Sequence, residues 1–168
     1  METHADAKGK RKNRQYHKVK IFTENIVNDD DVKVLGILKN KRVWRYIPKR
    51  FIDKNHENLF SWKVLVPRAN GSGAIGEVLS TPLIGYTQSF IGIGSFDSEV
   101  EAMALLKYVK TKFARAMLGI LKITQDNDRE VWRLIPLQDF TSNSDIDWTK
   151  SVADIDRQLY AKYGLDES

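Results

Sequence analysis

The sequence of 168 residues contains no cysteine and only three histidines. The absence of cysteine excludes disulfides, thiolate zinc sites and a cysteine nucleophile. With so few imidazoles, we also expect no metal cluster. No apolar run approaches the ~18 residues that a membrane-spanning helix needs, and the start of the chain lacks the apolar core of a secretion signal. We therefore expect a cytoplasmic protein with no membrane segment and no bound metal.

Proline is scarce too, with four residues, whereas hydrophobic residues make up 42% of the chain and suit a domain with a core. The formal net charge of +5 permits an anionic partner without proving one. Residues 1–15 form a basic leader with almost no apolar side chain, typical of a flexible tail that contacts phosphates or of a solvated terminus. We expect the main domain over residues 16–140 and a C-terminal helical segment over 141–168.

Short strand-like segments dominate the chain between the leader and residue 96. Strands are predicted where β-branched and aromatic residues cluster, at 19–22, 32–38, 43–47, 60–66 and 87–93. One more strand is predicted after this part of the chain, at 131–134. Pro48 predicts a short helical turn through Ile52. The glycine-rich segment 70–76 predicts a turn between two strands.

Capping residues and the helical spacing of apolar residues predict two helices. Ser98 and Glu101 form a capping box, and helical spacing continues from there to about Leu121. The apolar stripe of this helix consists of Ala102, Leu105, Leu106, Val109, Phe113, Ala116, Met117 and Ile120. The opposite, polar face carries Lys107, Thr111, Arg115 and Lys122. The second helix covers residues 151–163 and ends at Gly164. The predicted fold is α+β, with a twisted, mostly antiparallel sheet packed against one long helix and a C-terminal helix.

Residues 71–76 match the pattern G-x-G-x-x-G after a predicted strand. Dinucleotide binding by this pattern requires a helix that begins at the glycines and holds the pyrophosphate at its N-terminus. Pro82 and Gly85 interrupt the following segment before such a helix could form. The pattern therefore favours a structural turn, or a backbone that comes close to another backbone such as a DNA phosphate.

Asp31 and Lys33 resemble the acid-x-Lys end of a metal-dependent nuclease site. Such a site needs a second carboxylate on an adjoining strand to hold magnesium, and Glu24 is the upstream acid within reach. The simpler interpretation is that residues 29–31 form a turn. A small magnesium-dependent nuclease remains an alternative, but no motif pairs a nucleophile with a base. We therefore predict no catalytic residue in this chain.

A basic and aromatic stretch covers residues 41–50 (KRVWRYIPKR). As a strand, it places Trp44 and Tyr46 on one face, either as stacking surfaces for nucleic acid or as core residues. The candidate phosphate contacts are Lys41, Arg42, Arg45, Lys49, Arg50, Lys112, Arg115 and Lys122. The side chains suited to reading base edges are Arg68, Asn70, Ser72, Gln88 and Gln125.

Five longer strings occur in a family-specific order. They are residues 61–77 (SWKVLVPRANGSGAIGE), 112–125 (KFARAMLGILKITQ), 135–140 (IPLQDF), 144–148 (SDIDW) and 155–160 (IDRQLY). In this order the chain resembles the C-terminal target-recognition region of type II restriction-modification proteins with an adenine-specific DNA methyltransferase domain. The resemblance covers roughly residues 32–165, although the segment 83–88 is shorter than the corresponding segment usually is in the family.

The resemblance implies that this chain reads double-stranded DNA for a methyltransferase or endonuclease catalytic domain. The methyltransferase domain of such proteins binds S-adenosylmethionine, but its Asn-Pro-Pro-Tyr-type motif and its glycine-rich cofactor motif are both absent from this sequence. We therefore expect target recognition with no cofactor and no catalysis in this chain. Besides the nuclease, the other alternative is an interaction module whose basic helix face binds an acidic protein.

Overall fold

The structure, a computed structural model, describes residues 21–39, 41–52, 57–68, 78–121 and 129–165. Its strands are β1 (Asp31–Leu38), β2 (Lys41–Pro48), β3 (Trp62–Pro67), β4 (Val78–Ser80), β5 (Ile84–Tyr86) and β6 (Phe90–Phe96). Its helices are α1 (Glu99–Lys110), α2 (Lys112–Leu121), α3 (Arg129–Trp132) and α4 (Val152–Tyr163), with single 3-10 turns at Lys49–Phe51 and Glu57–Phe60. The predicted α+β class is confirmed.

The strands form two three-stranded sheets instead of the predicted single sheet. In the first sheet, of order β2-β1-β5, β2 is antiparallel and β5 parallel to β1. The second sheet, of order β4-β3-β6, is antiparallel. The strand predicted at 87–93 begins at Phe90, as β6, because a turn in which Phe90 N–H donates to Thr87 O carries the chain from the first sheet to the second. The strand predicted at 19–22 is also wrong for Ile21 and Phe22, since the segment makes only an isolated bridge from Thr23 to Tyr46.

The two sheets and the helices form three layers. Leu35, Leu65 and Phe90 form a small core between the sheets. The main core lies between the second sheet and the helices, and its members include Val64, Val66, Ile91, Leu105, Val109, Phe113, Ile146, Trp148, Ile155 and Leu159. Gly92 permits the close approach of the sheets, because a Cβ there would lie 2.5 Å from the Tyr86 hydroxyl. Trp44 packs against the small core, so of its two predicted roles the structure shows the core role.

The predicted long helix is interrupted at Thr111, whose ψ of 151° is that of an extended residue. The Thr111 hydroxyl accepts a hydrogen bond from Ala114 N–H and so caps α2, while it donates to Tyr108 O. Thr111 is therefore fully buried, and its predicted place on the polar face is wrong. The interruption also changes the phase of the apolar stripe: Leu118 is buried and Ile120 is 78% exposed.

The strand predicted at 131–134 is wrong as well, because α3 ends at Trp132 and residues 133–134 form a turn. Strand propensity depends on the pairing and packing partners that the fold provides. Here Val131 and Trp132 pack against the main core from a helical turn, and Leu134 N–H donates to Val131 O.

The predicted C-terminal helix is confirmed as α4. The Ser151 hydroxyl accepts a hydrogen bond from Asp154 N–H at its start, and Gly164 ends it in the left-handed conformation, with φ 64°. None of the described helices is long and apolar enough to cross a membrane.

Candidate nucleic-acid interface

Three chain segments meet at one end of the two sheets. The β1–β2 hairpin ends there, with Leu38 paired to Lys41 and Ile37 paired to Arg42. The turn at residues 87–89 lies beside the hairpin, since Thr87 N–H donates to Leu35 O. The end of β3 joins this turn, because Arg68 N–H donates to Ser89 O at 3.0 Å.

This end carries positive charge and no negative charge among its described residues. We define the basic end as Lys39, Lys41, Arg42, Arg68 and Gln88, all of which are exposed. The described segments that form it, 36–39, 41–43, 66–68 and 85–91, contain four cations and no carboxylate. The sheets thus bring together four residues of the predicted set, Lys41, Arg42, Arg68 and Gln88, from three separate parts of the sequence.

Lys39 was not among the predicted contacts. It occupies the two-residue loop between the paired Leu38 and Lys41, with a positive φ of 50°. Glycine and asparagine are the usual residues at such a position, and a lysine there carries a backbone penalty of about 1 kcal/mol. The available sequence signal was the gap between the predicted strands 32–38 and 43–47, which indicated a break in the chain but not the charge that it carries.

The other predicted basic residues on β2 lie away from the basic end. Lys49 and Arg50 follow Pro48, the far end of the strand, which is about 23 Å from Lys41 at the usual rise per residue. Lys49 Nζ lies 5.0 Å from the centre of the Phe60 ring. Arg45 forms an ion pair with Glu24 at 3.1 Å and donates to its neighbour's carbonyl oxygen, so its guanidinium is already engaged.

The predicted residues on the helices form a separate group. Lys112 and Arg115 are exposed on α2, which packs against α1, α3 and α4. Asn70, Ser72, Lys122 and Gln125 lie outside the described residues, as does the glycine-rich segment 70–76. The structure therefore divides the described members of the predicted set among the basic end, the far end of β2 and the helical layer.

Asp31, the acid of the nuclease-like pattern, stabilises a turn. Its Oδ2 accepts hydrogen bonds from Val27 N–H (2.8 Å) and Asn28 N–H (2.9 Å), and its Oδ1 accepts one from the Asn28 side chain (3.1 Å). The backbone hydrogen bonds from Asn28 and then Val27 hold the pKa of Asp31 below its usual value. Glu24 is paired with Arg45. Within the described ranges, no group of three or more His, Asp or Glu residues could hold a metal ion.

No family model, curated protein or solved structure matches this chain. Any functional assignment therefore depends on the geometry of the basic end and on the sequence strings.

Proposed function

We propose that this chain recognises a specific sequence in double-stranded DNA, in the cytoplasm, on behalf of a restriction-modification adenine methyltransferase or endonuclease. The observation that carries the proposal is the basic end, where three chain segments bring four cations and an amide together without a carboxylate in the described residues. Catalysis, and S-adenosylmethionine where the partner is a methyltransferase, would belong to the partner's catalytic domain.

The shape of the basic end suits a DNA groove. Beyond Leu35, the last β1 residue that pairs with β5, the β1–β2 hairpin continues as a short two-stranded antiparallel ribbon whose tip carries Lys39, Lys41 and Arg42, and the major groove of B-DNA admits a two-stranded ribbon. Lysine and arginine at the tip would contact phosphates and so position the protein on the duplex.

The side chains that read base edges would be Arg68 and Gln88. The hydrogen bond from Arg68 N–H to Ser89 O places the backbone of Arg68 beside the residue that follows Gln88. A guanidinium forms two hydrogen bonds with O6 and N7 of guanine, and a glutamine amide forms two with N6 and N7 of adenine. Both side chains are exposed. The recognised DNA sequence would therefore contain one guanine contacted by Arg68 and one adenine contacted by Gln88.

The test is a salt titration of binding to duplex DNA. Each phosphate contact contributes about −0.9 to the slope of log K against log salt. The double variant Lys41→Gln/Arg42→Gln should therefore have a slope shallower by about 2 and an affinity at least about 10-fold weaker at low salt. The matched control is Lys49→Gln/Arg50→Gln, which removes the same charge from the far end of β2. A flat slope for the unsubstituted protein would overturn the proposal, as would an equal loss in both double variants.

Specificity is tested by selection from random duplexes. Arg68→Ala should relax the preference at one guanine position by about 1–3 kcal/mol, and Gln88→Ala should do the same at one adenine position. Lys41→Gln should instead weaken binding to all sequences alike, because a phosphate contact carries no base information. If the selected motif stays the same in both alanine variants, Arg68 and Gln88 are not readers.

A further inference from the structure

A cavity of about 310 Å³ opens on the first sheet. Its apolar walls come from Phe22, Val34, Ile37, Leu38 and Val43. Arg45 and Thr87 supply its polar groups, and Gly36 completes the lining. Cavities of this size, with apolar walls and few polar groups, are typical of sites that bind small organic groups.

The cavity adjoins the basic end. Lys41 of the basic end pairs with the lining residue Leu38 and stands two residues before the lining residue Val43, so its side chain lies on the cavity face of the sheet. One residue step along a strand covers about 3.3 Å. A group attached to a phosphate backbone held by Lys41 would therefore lie within reach of the cavity.

The charge of the cavity favours a neutral ring over an anion. Its guanidinium, that of Arg45, is neutralised by Glu24 at 3.1 Å. Phe22 is 50% exposed and Leu38 is 54% exposed, so two large apolar side chains beside the cavity remain open to solvent. Aromatic side chains stack on nucleobases of any sequence, because every base has a π-face.

Thr87 provides an unused hydrogen-bonding group. Its Oγ1 is buried, and none of the described residues hydrogen-bonds it. A buried hydroxyl without a partner destabilises the fold. Thr87 packs closely on Gly36, where an added Cβ would lie 3.2 Å from Thr87 Cγ2 and would require a small shift. Thr87 also lines the cavity, so the edge of a base bound there could supply the missing partner.

We propose that this cavity receives a nucleobase that has left the stack of DNA bound at the basic end. The inference rests on the proposed function, since the basic end must hold the DNA. Phe22 would stack on the base, Val34 and Val43 would contact its ring, and Thr87 would hydrogen-bond its edge.

The test compares a matched duplex with the same duplex that carries one unpaired adenine. Extruding a base that is already unpaired requires less energy, so the bulged duplex should bind about 10-fold more tightly. Val43→Phe fills the cavity and should abolish this gain. Val100→Phe, which places the same side chain at a position on α1 that is 77% exposed, is the matched control and should keep it.

Thr87→Val keeps the inference testable if the bulkier variant does not fold. It preserves the shape of the side chain, removes the unpartnered hydroxyl and should therefore melt at the same temperature or higher. The gain for the bulged duplex should nevertheless fall several-fold. In the unsubstituted protein, the bulged duplex should also shift the methyl resonances of Val34 and Val43 through the ring current of the base, beyond any shift that the matched duplex produces.

The outcomes separate the two proposals. Salt-dependent binding of the matched duplex with no gain for the bulged one would overturn the cavity inference and leave the proposed function standing. A gain that persists in Val43→Phe and Thr87→Val, or methyl shifts with dAMP and none with bulged DNA, would also overturn the inference. Failure to bind either duplex would overturn both proposals.

Discussion

Replacing Asp156 with alanine is expected to lower the free energy of unfolding by about 3 kcal/mol, because two N–H groups lose a charged acceptor together. Asp156 is only 6% exposed, and its two carboxylate oxygens accept from Lys112 N–H and Phe113 N–H, each at 3.0 Å. The carboxylate lies at the first turn of α2, where the helix dipole also favours negative charge. Urea denaturation measures the change, and hydrogen exchange at these two amides should accelerate.

Asp154→Ala is the control for this prediction. Asp154 lies on the same helix but is half-exposed at its start, where it pairs with Arg157 at 2.6 Å and with the Ser151 hydroxyl. Exposed ion pairs contribute little, so the loss should stay below about 1 kcal/mol. If both variants lower the free energy of unfolding by the same amount, the two hydrogen bonds from Asp156 to the first turn of α2 do not stabilise the fold as proposed.

The same contact explains why the sequence predicted one helix where two exist. Apolar spacing continues through Val109 and Phe113, and nothing in the local pattern interrupts it. Threonine at position 111 is a good N-cap residue, but a helix also accommodates it. The acceptor that stabilises the second start is Asp156, more than forty residues along the chain. Local propensity predicted the helical region, whereas its division depends on a tertiary contact.

The candidate site was predictable in its chemistry but not in its shape. The run at residues 41–50 identified basic residues of the right type. An extended backbone, however, rises about 3.3 Å per residue, so Lys41 and Lys49 are more than about 20 Å apart. In contrast, Arg68 and Gln88 come to Arg42 through strand pairing that crosses between sheets. Register and the turn at residues 87–89 determine this convergence, and residue type alone does not specify either.

Between pH 8 and pH 10.5 the protein is expected to gain about 3 kcal/mol of stability from one residue, Lys63. Lys63 is fully buried on β3, and its Nζ donates to Ser61 O at 3.1 Å and to Thr81 O at 3.4 Å. Burial lowers the pKa of Lys63 from 10.5 to about 8. Below pH 8 both the folded and the unfolded chain hold the proton. Between the two pKa values only the unfolded chain holds the proton, so the free energy of unfolding rises with pH across this window. Above pH 10.5 the contribution of Lys63 no longer changes with pH.

Lys63→Met isolates this contribution, because it keeps an unbranched side chain of similar length and removes the titrating group. The free energy of unfolding of the unsubstituted protein, minus that of the variant, should rise by about 3 kcal/mol from pH 7.5 to pH 10.5. Lys110→Met removes a cation from an exposed position of α1 and measures how much of any difference comes from net charge. Titration of the Lys63 side chain by NMR gives the same pKa directly. A midpoint near 10.5 would show that burial does not disfavour the charged amine, and that the two carbonyl oxygens compensate fully for its loss of water.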